Sequence, residues 1–288
     1  MLKDYVLAMS VEEALDSLKS HAGEARIIAG GTDAILDYQS GKLSAKCLVD
    51  ISKIDKLKKI EYADGQIIIG AAVTHSEIKE SSLIQSKAPL LAMASGSVGS
   101  LQIRNTATVA GNVVNAQPAA DAAVALVALG AVAEIADHNG THYVPVEEMY
   151  AGVGKSTVDA SRQVVTAIRF PALQAKQGSS FVRLAQRGAL ALPILNVAVV
   201  LSLAADNVVE WVRIVMAPVA PKPLRASQTE KVLQGAVVTD QLIGEAARAA
   251  VVEASPRSSA LRGSAEYRKE VLEVLVRRAL DQAIVAAK

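Results

Sequence analysis

The sequence predicts an α+β fold built in two parts, and three observations carry that reading. The chain of 288 residues reaches the length, about 250–300 residues, at which a single hydrophobic core stops growing, so two domains are expected. Strands and helices alternate through the first 60 residues, the pattern of a small parallel α/β unit. Beyond about residue 180, strand-like runs come first and helices second, the order of an α+β domain. The composition supports a packed chain: 51% of residues are hydrophobic, and 30 Lys and Arg nearly cancel 29 Asp and Glu.

The elements follow in order. Ser10 and Glu13 form a Ser-x-x-Glu capping box, with Val11, Leu15 and Leu18 as the apolar stripe of the helix behind it. Arg26-Ile-Ile-Ala29 is a short strand running into Gly30-Gly31-Thr32-Asp33, and Cys47-Leu-Val-Asp-Ile51 is a second, buried strand. Asp64-Gly65 sits between Ile60-Glu-Tyr-Ala63 and Gln66-Ile-Ile-Ile-Gly70 as a hairpin turn, and Thr74-x-x-Glu77 repeats the capping-box pattern. Asn139-Gly140 marks a second hairpin between residues 132–136 and 142–146. Residues 162–170 read as a strand, and 171–180, rich in Gln, Gly and Ser, as a linker. Strands are expected at 181–186, 196–204 and 208–216, then helices at 229–233, 239–254 and from about 264 to 287.

Several function classes drop out on counts alone. The single cysteine, Cys47, supports no disulfide framework, iron–sulfur cluster or Cys-rich zinc site, and in its apolar strand it reads as a buried, inert thiol. Any redox role therefore needs a cofactor held without thiolates. A net charge of +1, with only the small cluster Lys53, Lys56, Lys58 and Lys59, gives no footprint for nucleic acid. The N-terminus has no signal-peptide apolar region. The longest apolar run, from Ala122 to Ala133, is 12 residues against the roughly 20 of a membrane span. A soluble, cytoplasmic protein is expected.

Two glycine-containing loops about 80 residues apart carry the chemistry. In the first, Ile27, Ile28, Ala29, Gly30, Gly31, Thr32, Asp33 and Ala34, a strand ends in Gly-Gly with Thr-Asp placed to cap a helix. Such a loop leaves backbone N–H groups unshielded, which binds phosphate through amide nests and a helix N-terminus. The plain alternative is a tight strand–helix turn that needs glycine only for its φ. The second loop runs from Arg104 to Asp121. It crowds Asn112, Asn115 and Gln117 among small residues, with Gly111 permitting close backbone approach. Asp121 opens an apolar helix, either as its N-cap or as an acceptor for a ligand's sugar or ring.

Taken in order, these segments resemble the FAD-binding medium subunit of the molybdenum hydroxylases, the family of carbon monoxide, xanthine and nicotinate dehydrogenases. The resemblance rests on Ala29-Gly-Gly-Thr-Asp33, Thr108-Val-Ala-Gly-Asn112 and Pro118-Ala-Ala-Asp121. It is reinforced by Ile69-Gly-Ala-Ala-Val-Thr74, Gln102-Ile-Arg-Asn105 and Glu266-Tyr-Arg268. It spans essentially the whole chain.

The resemblance implies a two-subdomain FAD-binding domain of the vanillyl-alcohol oxidase/PCMH type over residues 1–175, with subdomains of about 1–56 and 57–175. A C-terminal domain over 176–288 would carry a small antiparallel sheet and helices. It further implies that residues 27–34 and Thr108, Val109, Ala110, Gly111 and Asn112 hold the FAD diphosphate, with Asp121 completing that side. Val98, Val165 and Arg183 would make further flavin or adenine contacts, and Val114 would lie against the isoalloxazine. No catalytic or metal-binding residue is implied on this chain. The molybdenum cofactor and [2Fe-2S] clusters are expected on large and small partner subunits, with electrons passing through FAD to an acceptor such as NAD or ferredoxin.

Two departures stand out. The family has Gly-Gly where this chain has Ala110-Gly111, one methyl that would narrow the backbone approach. The acidic residue often found after Arg187 is missing from Gly188-Ala-Leu-Ala-Leu-Pro193. Two other readings stay open: a self-sufficient flavin-dependent oxidoreductase acting on a small molecule, and a scaffolding subunit that has lost FAD, which Ala110 alone favours.

Other motifs are weaker. Gly152-Val-Gly-Lys-Ser-Thr157 imitates the end of a Walker A loop, but Met149 holds the position of the first glycine and a short helix precedes it, so a flexible turn is expected. His138 and His142 flank the Asn139-Gly140 turn and read as exposed hairpin residues; His75, after its Thr74 cap, could approach the flavin, but a surface histidine is the favoured reading. A bulky residue at Gly30 or Gly111 is expected to displace phosphate, because a Cβ would occupy its space.

Overall fold

In the computed structural model, which describes residues 2–288, the chain forms a parallel sheet, two antiparallel sheets and a short ribbon, with helices packed between and around them. The first unit contains β1 (Asp4–Leu7), α1 (Val11–Ser20), β2 (Ala25–Ile28), α2 (Ala34–Gln39) and β3 (Cys47–Asp50). Its strands pair in parallel in the order β1-β3-β2. The Ser10 side chain accepts from the Glu13 amide at 3.0 Å and starts α1, whose Ala14, Leu15 and Leu18 are buried. The Glu13 carboxylate turns back to the Met9 amide at 2.8 Å, one residue before the cap. Cys47 is a fully buried free thiol, as its apolar strand implies.

The second unit begins with the hairpin of β4 (Ile60–Ala63) and β5 (Gln66–Gly70), turned by Asp64 and Gly65, both at positive φ. Six helices follow: α3 (His75–Glu80), α4 (Ser82–Lys87), α5 (Pro89–Gly96), α6 (Leu101–Arg104), α7 (Val109–Val114) and α8 (Asp121–Ala128). The Thr74 capping box closes completely, with the Glu77 carboxylate accepting from the Thr74 amide at 2.7 Å. Next come β6 (Val132–Asp137), β7 (Gly140–Pro145), the ribbon of β8 (Tyr150–Gly152) and β9 (Lys155–Ser156), and β10 (Val164–Pro171). The five long strands make an antiparallel sheet in the order β4-β5-β10-β6-β7.

The third unit contains β11 (Gln177–Leu184), β12 (Leu195–Leu203), β13 (Val209–Ala217), β14 (Leu224–Arg225), α9 (Ser227–Leu233), α10 (Asp240–Glu253) and α11 (Ala265–Ala287). Every residue of β12 is buried, although an antiparallel strand commonly wets one face. The reason is cover on both sides. Leu195, Val197, Val199, Leu201 and Leu203 pack with α10 and α11, while Ala198 and Val200 join the core that α5 and α8 share with the rest of the chain. Helix α8 is apolar all round behind Asp121 and buried along its whole length, which suits its place between layers rather than in a membrane. No helix among the described residues is long and apolar enough to cross a membrane.

One expectation needs correction here. The linker read at 171–180 shrinks to 172–176, because β11 already starts at Gln177. Gly178 and Ser180 serve close packing: a Cβ on Gly178 would lie 1.9 Å from the Ala283 carbonyl oxygen of α11, and the Ser180 hydroxyl donates to the Ala279 carbonyl at 2.7 Å. His138 and His142 are both exposed as expected, and His138 Nε2 lies 3.0 Å from the Leu15 carbonyl, which ties the β6–β7 turn to α1. The Walker-like segment forms the β8–β9 hairpin, whose Gly154 amide donates to the Ala116 carbonyl at 3.0 Å.

Replacing Gly178 with Ala should lower stability by about 1–3 kcal/mol through overpacking against α11. Gly188→Ala, where a Cβ meets nothing within 4 Å, should stay within about 0.5 kcal/mol of the parent. Denaturant midpoints of the two variants check the contrast.

Candidate nucleotide-binding cleft

The first glycine loop leaves the C-terminal end of β2, the edge at which open α/β sheets bind ligands. Among the described residues, the amides of Gly30, Gly31, Thr32 and Asp33 have no protein acceptor. Gly31 sits at φ +67, a backbone position that favours glycine. Gly30 is required for another reason. A Cβ there would meet the Thr106 carbonyl oxygen at 2.0 Å and the Ala107 Cα at 2.9 Å, so its side-chain space belongs to the second loop and not to a phosphate. The expected displacement at Gly30 is thereby corrected to a clash between the two loops.

The second loop is pinned from behind. Thr74 and Thr108 form an isolated antiparallel bridge, the His75 amide donates to the Ala107 carbonyl at 3.0 Å, and the Val109 amide to the Val73 carbonyl at 3.2 Å. Thr108 caps α7, its hydroxyl accepting from the Gly111 amide at 3.0 Å. At Gly111 a Cβ would meet only that hydroxyl, at 3.0 Å, and otherwise enters open space on the cleft wall.

Between the loops lies a cleft of about 560 Å³, within the range of small-molecule sites. Ile27, Ile28, Ala29, Gly30, Gly31, Thr32, Asp33 and Ala34 all line it, with Val98, Thr108, Gly111, Asn112, Val114 and Asp121. Ala110 and Val165 line a smaller adjoining pocket of about 90 Å³, shared with Ile27, Ala29 and Val114. Ala110 is buried in the core, so its methyl does not narrow the main cleft. Val109 and Arg183 reach neither wall: Val109 is a core residue, and Arg183 acts through Asp121.

Asp121 is the first residue inside α8 and makes no cap; Ala120 holds that position. Its carboxylate accepts from Arg183 Nε at 3.1 and 3.2 Å and from Asn196 Nδ2 at 2.7 Å. Burial pushes this carboxyl up, while Arg183 and Asn196 pull it down. Arg183 also donates to the Ala191 carbonyl, and the Leu190 amide to the Gly99 carbonyl at 3.0 Å, so the segment between β11 and β12 folds across the cleft mouth. Asp33 likewise makes no side-chain cap on α2 and lines the cleft with Asp37. Burial, then Asp37, raise the Asp33 carboxyl, with Asn115 opposing. The only cationic side chain among the described lining residues is Arg26, whose guanidinium is turned to the Gly23 and Ala25 carbonyls at 2.6 and 2.7 Å. An anion in this cleft is therefore held chiefly by backbone amides.

The sequence reading missed several wall residues, and it favoured the surface over an approach to the flavin for His75. His75 is 0% exposed and lines the cleft, not the surface. Burial, then Arg104, push its ring down to about 4, so it is neutral near pH 7. Asp37 was within reach of sequence reasoning, since it falls one helical turn after Asp33. Gly99, Ile103, Ala191 and Leu192 carry no local signal and arrive by folding.

Gly30→Ala should destabilise the chain by about 2 kcal/mol or more, by forcing the loops apart, and Gly111→Ala by clearly less; thermal unfolding of both variants checks the order. The folded-state value for His75 lies below that of an unfolded histidine. Its contribution to stability is therefore full above about pH 6.5 and lost as pH falls toward 4. Unfolding free energies from urea titrations at pH 7 and pH 4.5 should differ by about 2 kcal/mol more in the parent than in His75→Leu.

Comparison with known proteins accounts for this architecture. Residues 2–173 match the family described as "FAD binding domain in molybdopterin dehydrogenase", and residues 180–283 match "CO dehydrogenase flavoprotein C-terminal domain". The chain is 29% identical over 286 residues to the xanthine dehydrogenase FAD-binding subunit of Escherichia coli O157:H7, covering 98% of this chain and 96% of that one. It is 31% identical over 279 residues to the glyceraldehyde dehydrogenase medium chain of Sulfolobus acidocaldarius, covering 96% and 97%. A solved structure of carbon monoxide dehydrogenase from Hydrogenophaga pseudoflava superposes with a TM-score of 0.92 at 28% identity, over 99% of this chain and 98% of that one. The loops, the cleft and the strands that close it thus lie in a chain that belongs to the FAD-binding medium subunits of the molybdenum hydroxylase family.

Proposed function

We propose that the cleft between the two glycine loops holds FAD, and that this chain relays electrons through it within a larger oxidoreductase complex. The observation that carries the reading is the row of unpaired amides from Gly30 to Asp33 facing the open space at Gly111. Phosphate oxygens satisfy such amides, and a side chain at Gly111 would fill the cradle. The residues present therefore fit the cofactor. Bound FAD supplies the electron carrier, and the protein supplies binding, orientation and electrostatics.

In this reading the amides of residues 30–33 and the 108–112 turn hold the diphosphate, and Val98, Val114 and Val165 give apolar contact to the ring systems. Asp121 and Arg183 set the cleft's far side, with Arg183 acting as a positioning residue. Residues 1–175 make the FAD-binding part, in subdomains of about 1–56 and 57–175, and 176–288 close over it. Electrons arrive from iron–sulfur clusters on a small partner subunit, after substrate oxidation at the molybdenum centre of a large one. They leave to an acceptor such as NAD or ferredoxin, in the cytoplasm.

The purified chain, denatured and cleared of protein, should release about one FAD per chain, with no hydroxylase activity of its own. Absence of FAD, even after incubation with excess cofactor, would refute the assignment. Affinity purification from the native host should recover two further subunits, one with molybdenum and one with iron and sulfide. Recovery of the chain alone, with turnover of a small substrate, would support a self-sufficient flavoenzyme instead.

A further inference from the structure

His75 is the first residue of α3 and has no exposed surface. Both ring nitrogens are buried, and neither has a hydrogen-bond partner among the described residues. Buried polar groups in folded proteins are satisfied in the great majority, so two orphaned nitrogens on one ring need an explanation. The residue is held firmly in place. The Thr74 capping box fixes the turn that carries it, and its own amide is bonded to the Ala107 carbonyl at 3.0 Å. His75 is one of the residues that line the cleft, as are Val98, Gly99, Ile103 and Ala107. Asn112, on the same wall, has its Oδ1 buried and unpaired as well. A neutral imidazole offers one N–H donor and one acceptor nitrogen.

The geometry points to His75 as a direct cofactor-binding residue, whose neutral ring donates a hydrogen bond to an oxygen of the ribityl–diphosphate chain of the bound flavin dinucleotide. This rests on the reading of the cleft as an FAD site. The orphaned nitrogens are then unsatisfied only in the cofactor-free chain, and binding supplies the missing partner. Asn112 Oδ1 is the complementary acceptor for a donor of the same ligand.

The test is FAD affinity of the cofactor-free full chain, read by quenching of flavin fluorescence, for the parent, His75→Leu and His75→Asn. Removing both nitrogens should raise the Kd for FAD about tenfold or more, and His75→Asn, which keeps a donor, should restore it to within about threefold. The cofactor-free His75→Leu chain should melt at the parent temperature or above it, because it buries no unsatisfied nitrogen. Competition with ADP locates the contact: an equal loss of ADP affinity assigns the acceptor to a phosphate, and an unchanged one to the ribityl chain. An unchanged Kd for FAD in His75→Leu overturns the proposal. So does a His75→Leu chain that loses stability in a way His75→Asn does not repair. If His75→Leu fails to fold, NMR of the histidine-labelled parent decides, since FAD must shift the ring resonances that His75→Asn removes; unshifted resonances overturn the assignment. A parent chain that binds no FAD overturns both readings, whereas a parent that binds and a His75→Leu variant that binds equally overturn this one alone.

Discussion

One backbone contact sets the geometry on which the rest of the cleft depends. Gly30 packs so tightly on Thr106 and Ala107 that even a methyl would sit 2.0 Å from a carbonyl oxygen. Two loops far apart in the chain thereby become one wall. Residues 106–109 are themselves fastened to the start of α3 by the Thr74–Thr108 bridge and the His75 and Val109 amide bonds. The parallel sheet therefore delivers its unpaired amides to a fixed place, and preorganised amides hold an anion without rearranging.

The opposite side depends on a single buried carboxylate. Helix α8 is apolar and enclosed, and Asp121 at its start would be costly there unless paired. Its partners, Arg183 and Asn196, come from β11 and β12, so the third sheet must dock for this end of the cleft to be stable. The same arginine steadies the segment around Ala191 that crosses the cleft mouth. Closure of the site and packing of the C-terminal sheet are thus one structural event. The double cover of β12 explains why that strand is apolar on both faces.

Most of the secondary structure was legible because its causes are local. The caps at Ser10, Thr74, Thr239 and Ser264 and the turns at Asp64-Gly65 and Asn139-Gly140 lie beside the elements they begin or join. The two glycine loops were legible as phosphate-type turns, and their order along the chain pointed to the family. What misled was always a residue whose neighbour lies far away in sequence. Gly178 and Ser180 resemble linker composition, but they are small because α11 lies against them. Asp33 and Asp121 stand where helix caps are expected, yet one faces the cleft and the other pairs across the molecule.

The sequence by itself determined where strands and helices begin, which glycine loops suit a phosphate, and that no cysteine set could hold a cluster. Those properties follow from backbone preference, capping and counting, all of which act over a few residues. Only the tertiary structure decided which glycine spaces loops and which leaves room for a ligand. Only it could turn a histidine beside a helix cap into an enclosed, unpaired ring on the cleft wall. Burial and hydrogen-bond satisfaction are properties of neighbours brought together across some 30 to 100 residues, and no local pattern in the chain records them.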